Sequence, residues 1–294
     1  MRLISRIRAS LDAEIAIRSL FEAPTVEALA KRVVNGRTPD SDFEALLPLR
    51  TTGSRRPLFC IHHAGGVSWP YSRLITHIPS DYPIYGLQAR SLMQRVALPK
   101  SLHDVALDYL HLIRQIQPVG PYNLLGWSFG GLVAHAIATQ LQSMGDEVSL
   151  LALLDSYPPG NENAAHHCAD REHDGEILSD GVVDASIRNM LGILRREGGK
   201  FSTLNEFQYT AITDTFKRNN RLMMTFSPRQ FAGDILLFVA KEGKAALSHE
   251  VWSPYVSGRI TVCCIDCAHE AMMDPIPAAE VGSVLATALD KESS

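Results

Sequence analysis

Apolar positions in this chain repeat with two different periods, and the switches between them mark out its elements. From residue 57 onward, short apolar runs of the kind that form buried strands alternate with longer stretches of helical period. The runs are Pro57 to Ile61, Ile84 to Leu87, Tyr122 to Leu125, Val148 to Leu154, Ile235 to Val239 and Ile260 to Ile265. Between them, Leu102 to Ile116 and Leu132 to Leu141 carry an apolar stripe at helical spacing, and a closing helix is expected over about 278–289. Strands that alternate with helices build a mostly parallel sheet with helices on both faces, so the predicted class is α/β.

The alternation fails in two places. Residues 157–228 hold a polar loop, "PPGNENAAHHCADREHDGEILSDG", and two helical segments near 183–196 and 204–224 with no strand between them. An insertion this long after a sheet strand is expected to be a helical lid or a substrate-binding cap. At the other end, Leu3, Ile4, Ile7 and Leu11 recur at helical spacing, and Ile15 to Phe21 reads as extended chain and a short helix. Pro24-Thr25 then opens a helix with Val26, Leu29 and Val33 on one face. Residues 1–35 are too few to bury a core of their own. Residues 36–56, rich in Gly, Pro, Ser, Asp and Arg, read as a linker within which Leu46 to Leu49 is able to pair as an edge strand; the main domain is expected over 57–294.

Composition removes several function classes. The 294 residues are 46% hydrophobic and 20% charged with a formal net charge of -4, so no basic excess points to nucleic acid. No apolar run reaches the roughly 18–20 residues of a membrane span. Arg2, Arg6 and Arg8 lie among apolar residues at the N-terminus, as in a transit peptide, but Asp12 and Glu14 follow and no signal-peptide core appears. A cytoplasmic, monomeric protein is the expectation. Cys60, Cys168, Cys263, Cys264 and Cys267 are too few for a disulfide framework and read as free thiols. Cys264 and Cys267 are three apart on a predicted strand and so face opposite sides. His166, His167, Cys168, Asp170, His173 and Asp174 match no recognised ligand spacing. No metal and no bound cofactor are therefore expected.

The chemistry centres on Gly126-Trp127-Ser128-Phe129-Gly130. A bare Gly-x-Ser-x-Gly arises by chance in about one chain in ten of this length, so the motif depends on its setting. Here it joins an apolar strand to a helix, the strand-turn-helix that presents a nucleophilic Ser. Such a Ser needs a base, a carboxylate to orient that base, and N–H donors for the developing oxyanion. His62, His63, His77, His103 and His111 precede Ser128, His135 lies in the following helix where packing suffices, and His249 sits in a polar stretch. His269, in "CCIDCAHEAMMDP", directly follows the last strand and is the candidate base. Asp155 emerges from the strand "LLALL" at the same sheet edge as Ser128, although a turn or cap role also suits it. Glu242, after the next strand, is the rival acid, and Asp266 lies in or beside the last strand. Backbone N–H groups of Phe129 and of Ala64, in the turn His62-His63-Ala64-Gly65-Gly66, are the candidate oxyanion donors.

With these residues set out, a resemblance becomes specific. From Pro57 to about Leu289, "PLFCIHHAGG", "LLGWSFGG", "LLALLDSYPP" and "CAHEAMMDP" resemble the α/β-hydrolase thioesterase domain that ends nonribosomal peptide synthetases. The resemblance implies the acid after the earlier strand, which favours Asp155 over Glu242. His63 stands where that family often has Pro. Upstream, "SLFEAPTVEALA" resembles the C-terminal half of a peptidyl carrier domain. The Ser that bears phosphopantetheine in that family lies just before the helix that Met1 would continue, and Ser5 and Ser10 match no attachment motif. The implied function is a terminal thioesterase. It takes a peptidyl or acyl chain from the phosphopantetheine of an upstream or separate carrier domain onto Ser128 and releases it by hydrolysis or macrocyclisation. The alternatives are a free-standing editing thioesterase, a small-molecule serine esterase, and a non-catalytic module that docks a carrier protein.

Overall fold

Each apolar run forms a strand. The computed structural model describes residues 7, 10–11, 25–34, 43–93, 99–159, 206–242 and 249–291. Its strands are β1 (Leu46–Arg50), β2 (Leu58–Ile61), β3 (Ile84–Leu87), β4 (Tyr122–Trp127), β5 (Val148–Leu154), β6 (Ile235–Ala240) and β7 (Ile260–Ile265). They form one seven-stranded sheet in the order β1-β3-β2-β4-β5-β6-β7. β1 is antiparallel to β3, and every other pairing is parallel. Residues of β2, β4 and β6 are buried throughout, as strands covered on both faces must be.

Within the stretch 36–56, the edge strand expected at Leu46 to Leu49 forms. β1 is the outer strand of the sheet, with Leu47 and Leu49 buried at alternate positions, so 46–50 belongs to the sheet rather than to a free connection.

The described helices are α1 (Val26–Val34), α2 (Leu102–Ile116), α3 (Phe129–Ser143), α4 (Glu206–Thr225) and α5 (Pro275–Lys291). The start of α2 is fixed by a capping box: Ser101 Oγ accepts the Asp104 N–H while the Asp104 carboxylate accepts the Ser101 N–H. At α1, Thr25 Oγ1 accepts the Ala28 N–H at 3.2 Å. α2 and α3 pack on one face of the sheet, and the 3₁₀ stretch Trp69–Thr76 and α5 pack on the other. α4 joins the two layers, because its Ala211 and Ile212 enter one apolar cluster and its Leu222 enters the other. His135 has the packing role expected of it: fully buried against Phe231 and Trp252, it donates Nε2–H to the Tyr255 carbonyl at 3.2 Å. The histidines and Cys168 of the polar loop, the helix near 183–196, Leu3, Ile4 and the segment 15–21 lie outside the described residues.

Candidate active site

The parallel register brings two of the candidate residues to neighbouring strand ends. Trp127 pairs with Leu154, so Ser128 and Asp155 follow directly at adjacent positions on the carboxyl edge. The ladder runs one step further at each: Ser128 N–H donates to Leu154 O at 2.9 Å, and Asp155 N–H donates to Phe238 O at 2.8 Å. Both residues have left-handed backbones, with φ of 54° at Ser128 and 45° at Asp155. Few non-glycine residues adopt such angles, and they recur where a structure holds a functional group against local preference. At Ser128 the consequence is a sharp turn from β4 straight into α3.

The two motif glycines explain how that turn fits. A Cβ on Gly126 would lie 2.1 Å from Gly130 O, and one on Gly130 would lie 2.3 Å from Ile61 O. Backbone passes on both sides of Ser128 at distances no side chain tolerates. As the first residue of α3, Phe129 holds one of the N–H groups that a helix start leaves unpaired.

His269 follows β7 in a loop pinned by its neighbours. Met272 and Met273 are buried, and Cys267 O accepts the Glu242 N–H at 3.1 Å. His269 Nδ1–H donates to Asp155 Oδ2 at 2.7 Å, which leaves Nε2 as the ring's proton acceptor. Asp155 is enclosed: its other oxygen, Oδ1, accepts the Tyr157 hydroxyl at 2.9 Å and the Ala240 N–H at 3.1 Å. A buried carboxylate with three donors has the compensation its desolvation requires. Burial, and then the Asp155 charge, push the Tyr157 hydroxyl far above its ordinary pKa, so it stays a donor. Glu242 and Asp266, the rival acids, are both exposed.

The turn after β2 is also tightly determined. His62 is buried and stacked on Phe129; its Nδ1–H donates to His63 O, and its Nε2 accepts the Tyr109 hydroxyl. Burial lowers its pKa to about 4, so it is a neutral brace at physiological pH. His63 Nδ1 accepts the Gly65 N–H at 3.0 Å, which places the His63 proton on Nε2. Burial and the neighbouring His62 and His269 lower His63 to about 3. The His63 ring meets Trp127 edge-on at 4.9 Å, and Trp127 lies 5.9 Å from the His269 ring, so one aromatic surface joins the turn to the candidate base. Among the described residues, the N–H groups of His63 and Ala64 have no hydrogen-bond partner.

Sequence reasoning passed over Tyr157, His62 and Asn219, an α4 residue whose side chain reaches the turn. Only Tyr157 left a local signal, two residues beyond the acid in "LLDSY".

A family model described as thioesterase domain matches residues 56–285. The chain belongs to the thioesterase domain family. Over 99% of its length this thioesterase is 43% identical to a dimodular nonribosomal peptide synthase of Bacillus subtilis, of which it spans 13%. Among solved structures it is similar to a four-domain nonribosomal peptide synthetase bound to AMP and glycine, with a TM-score of 0.68 at 22% identity, over 97% of this chain and 23% of that one. It is also similar to the thioesterase domain that cyclises the lipopeptide antibiotic surfactin, with a TM-score of 0.63 at 17% identity, over 87% and 99% of the two chains. The fold is that of the α/β-hydrolases, as the resemblance implied, and the mostly parallel sheet is the one the element order predicted. Among the described residues no helix is long and apolar enough to cross a membrane.

Proposed function

We propose that this thioesterase ends a nonribosomal peptide synthetase and releases its peptidyl or acyl chain, with Ser128, His269 and Asp155 as its catalytic residues. The observation that carries the reading is the 2.7 Å bond from His269 to the enclosed Asp155, made at the sheet edge where Ser128 stands on its strained turn. His269 Nε2 takes the Ser128 hydroxyl proton as Oγ attacks the thioester carbonyl. The tetrahedral oxyanion is received by the N–H groups of Phe129 and Ala64. Its collapse breaks the C–S bond, the thiol leaves with the proton from His269, and an ester remains on Ser128. Water, or an amine or hydroxyl of the chain itself, then gives its proton to His269 and attacks that ester, which restores the Ser128 hydroxyl.

The substrate is presented on the phosphopantetheine arm of a carrier domain, upstream or separate, and the arm is substrate rather than a cofactor held by this chain. Residues 1–35 are the C-terminal remnant of such a carrier. The likeness of 97% of the chain to part of a four-domain synthetase supports this assignment. The domain acts as a monomer in the cytoplasm.

The test is to offer peptidyl-pantetheine thioesters and weigh the products. Free acid reports hydrolysis, and a product lighter by one water reports a macrocycle. A serine-reactive fluorophosphonate should label the wild-type protein and leave Ser128→Ala unlabelled; label on the variant would move the nucleophile elsewhere.

A further inference from the structure

The turn that offers the second oxyanion donor is held from outside, by the helix of the lid insertion. Asn219, on α4, is 5% exposed, and its Nδ2 donates to the Ala64 carbonyl at 2.9 Å across 155 residues of sequence. That carbonyl shares a peptide plane with the Gly65 N–H, which donates to His63 Nδ1 at 3.0 Å. The Ala64-Gly65 peptide is therefore gripped at both ends, and with it the ψ angle of Ala64. The flanking peptides are fixed as well: His63 O, on the peptide that carries the Ala64 N–H, accepts the Gly66 N–H at 3.0 Å and the His62 Nδ1–H, and Gly66 O accepts the Ala89 N–H at 2.9 Å. Among the described residues, what remains for a ligand are the N–H groups of His63 and Ala64.

Two more contacts make α4 a close-fitting clasp. Thr215, one turn before Asn219 on the same helix face, shares a hydrogen bond with Ser91 at 2.7 Å. Its Cγ2 stands where a Cβ on Gly66 would come within 2.9 Å, so helix and turn also meet closely at Thr215. Deleting a donor buried this deeply, with the helix in place, removes the bond to the Ala64 carbonyl at the cost of an unsatisfied buried acceptor.

We infer that Asn219 is a positioning residue for the oxyanion turn: by holding the Ala64 carbonyl, the seating of α4 fixes the backbone of Ala64 beside the peptide that carries its N–H, and the helix thereby tunes the oxyanion hole. This rests on the catalytic reading above. The hydrogen bonds of an oxyanion hole strengthen as charge develops, so a misplaced donor acts on the transition state more than on substrate binding.

The experiment measures kcat and KM of Asn219→Ala, Asn219→Asp and Asn220→Ala on a peptidyl thioester between pH 5 and 8. Asn220 is the adjacent buried amide of α4, and its Nδ2 donates to Phe216 O, so its removal controls for the loss of a buried α4 amide. We expect Asn219→Ala to lower kcat about 10- to 100-fold, with KM changed less than about threefold. Affinity for a peptidyl boronic acid, whose tetrahedral adduct uses the same hole, should fall in parallel with kcat/KM. In Asn219→Asp a carboxylate faces the Ala64 carbonyl at high pH, whereas the protonated acid restores a donor. The ratio of its kcat/KM to that of wild type should therefore rise as pH falls, even if Asn219→Ala folds poorly. Equal losses in the Asn219 and Asn220 variants, a loss confined to KM, or a pH-independent ratio for Asn219→Asp would each overturn the inference. A wild type that turns over no thioester would instead overturn the catalytic reading.

Discussion

His269 Nδ1–H donates to Asp155 Oδ2 at 2.7 Å, joining residues 114 positions apart and fixing which ring nitrogen faces away from the carboxylate. Asp155→Asn removes the acceptor and permits the opposite tautomer, which cannot take the Ser128 proton. By analogy with serine proteases, kcat should fall on the order of 10⁴-fold. Glu242→Gln, at an exposed position, should change it less than about twofold. Steady-state kinetics on both variants checks this, and the reverse ranking would transfer the acid role to Glu242.

Tyr157 tests a smaller effect at the same carboxylate. Tyr157→Phe deletes the 2.9 Å bond to Oδ1, an oxygen that also accepts the Ala240 N–H. One hydrogen bond to a charged group contributes roughly 1.5–3 kcal/mol, part of which the remaining donors recover, so a loss of about 5- to 30-fold in kcat/KM is expected. An unchanged rate would show the hydroxyl to be ornamental to Asp155.

The elbow makes a prediction about folding. Gly130→Ala sets a Cβ 2.3 Å from Ile61 O and 2.4 Å from His62 O, both main-chain atoms of the strand end beside it. Neither is able to swing aside as a flexible side chain does. Denaturant unfolding should show a loss of about 3 kcal/mol or more, at the upper end of overpacking costs.

Buried neutral histidines set the acid limb of stability. Burial lowers His135 from 6.5 to about 4. The unfolded chain therefore binds its proton first, and stability rises with pH between those values. The contribution is fully present above about 6.5 and is lost on acidification towards 4, to the extent of about 3 kcal/mol. In His135→Gln the thermal midpoint should fall less steeply over that window than in wild type, as calorimetry across pH 4–7 would record.

Six of the seven strands were legible because each follows a largely apolar run, and the runs at β3, β5 and β7 needed no adjustment at either end. Ser128 and Asp155 were legible as positions for the same reason, each directly following a buried strand end, and His269 as the histidine in the loop after the last strand. β1 was half legible, since its alternating burial lies in a stretch whose turn-forming composition reads as connection. The supporting bonds were not legible. Asn219 to Ala64 and Ala240 to Asp155 link residues 155 and 85 apart, and no local pattern of side chains encodes such a meeting. The left-handed backbone at Asp155 was hidden too, because Asp tolerates that conformation without a neighbouring glycine to announce it.

β5 and β6 are adjacent parallel strands, and the insertion leaves the chain after one and rejoins it before the other. Ser128, Asp155 and His269 all lie outside it. On the proposed catalytic reading, the insertion is separable from the reacting groups: exchange at its two borders would replace the segment between β5 and β6 while Ser128, Asp155 and His269 keep their frame. The Asn219 bond adds a compatibility rule for any such exchange, in nature or in a chimera. An incoming cassette must carry its own donor for the Ala64 carbonyl, or it inherits a catalyst whose oxyanion turn is no longer aimed.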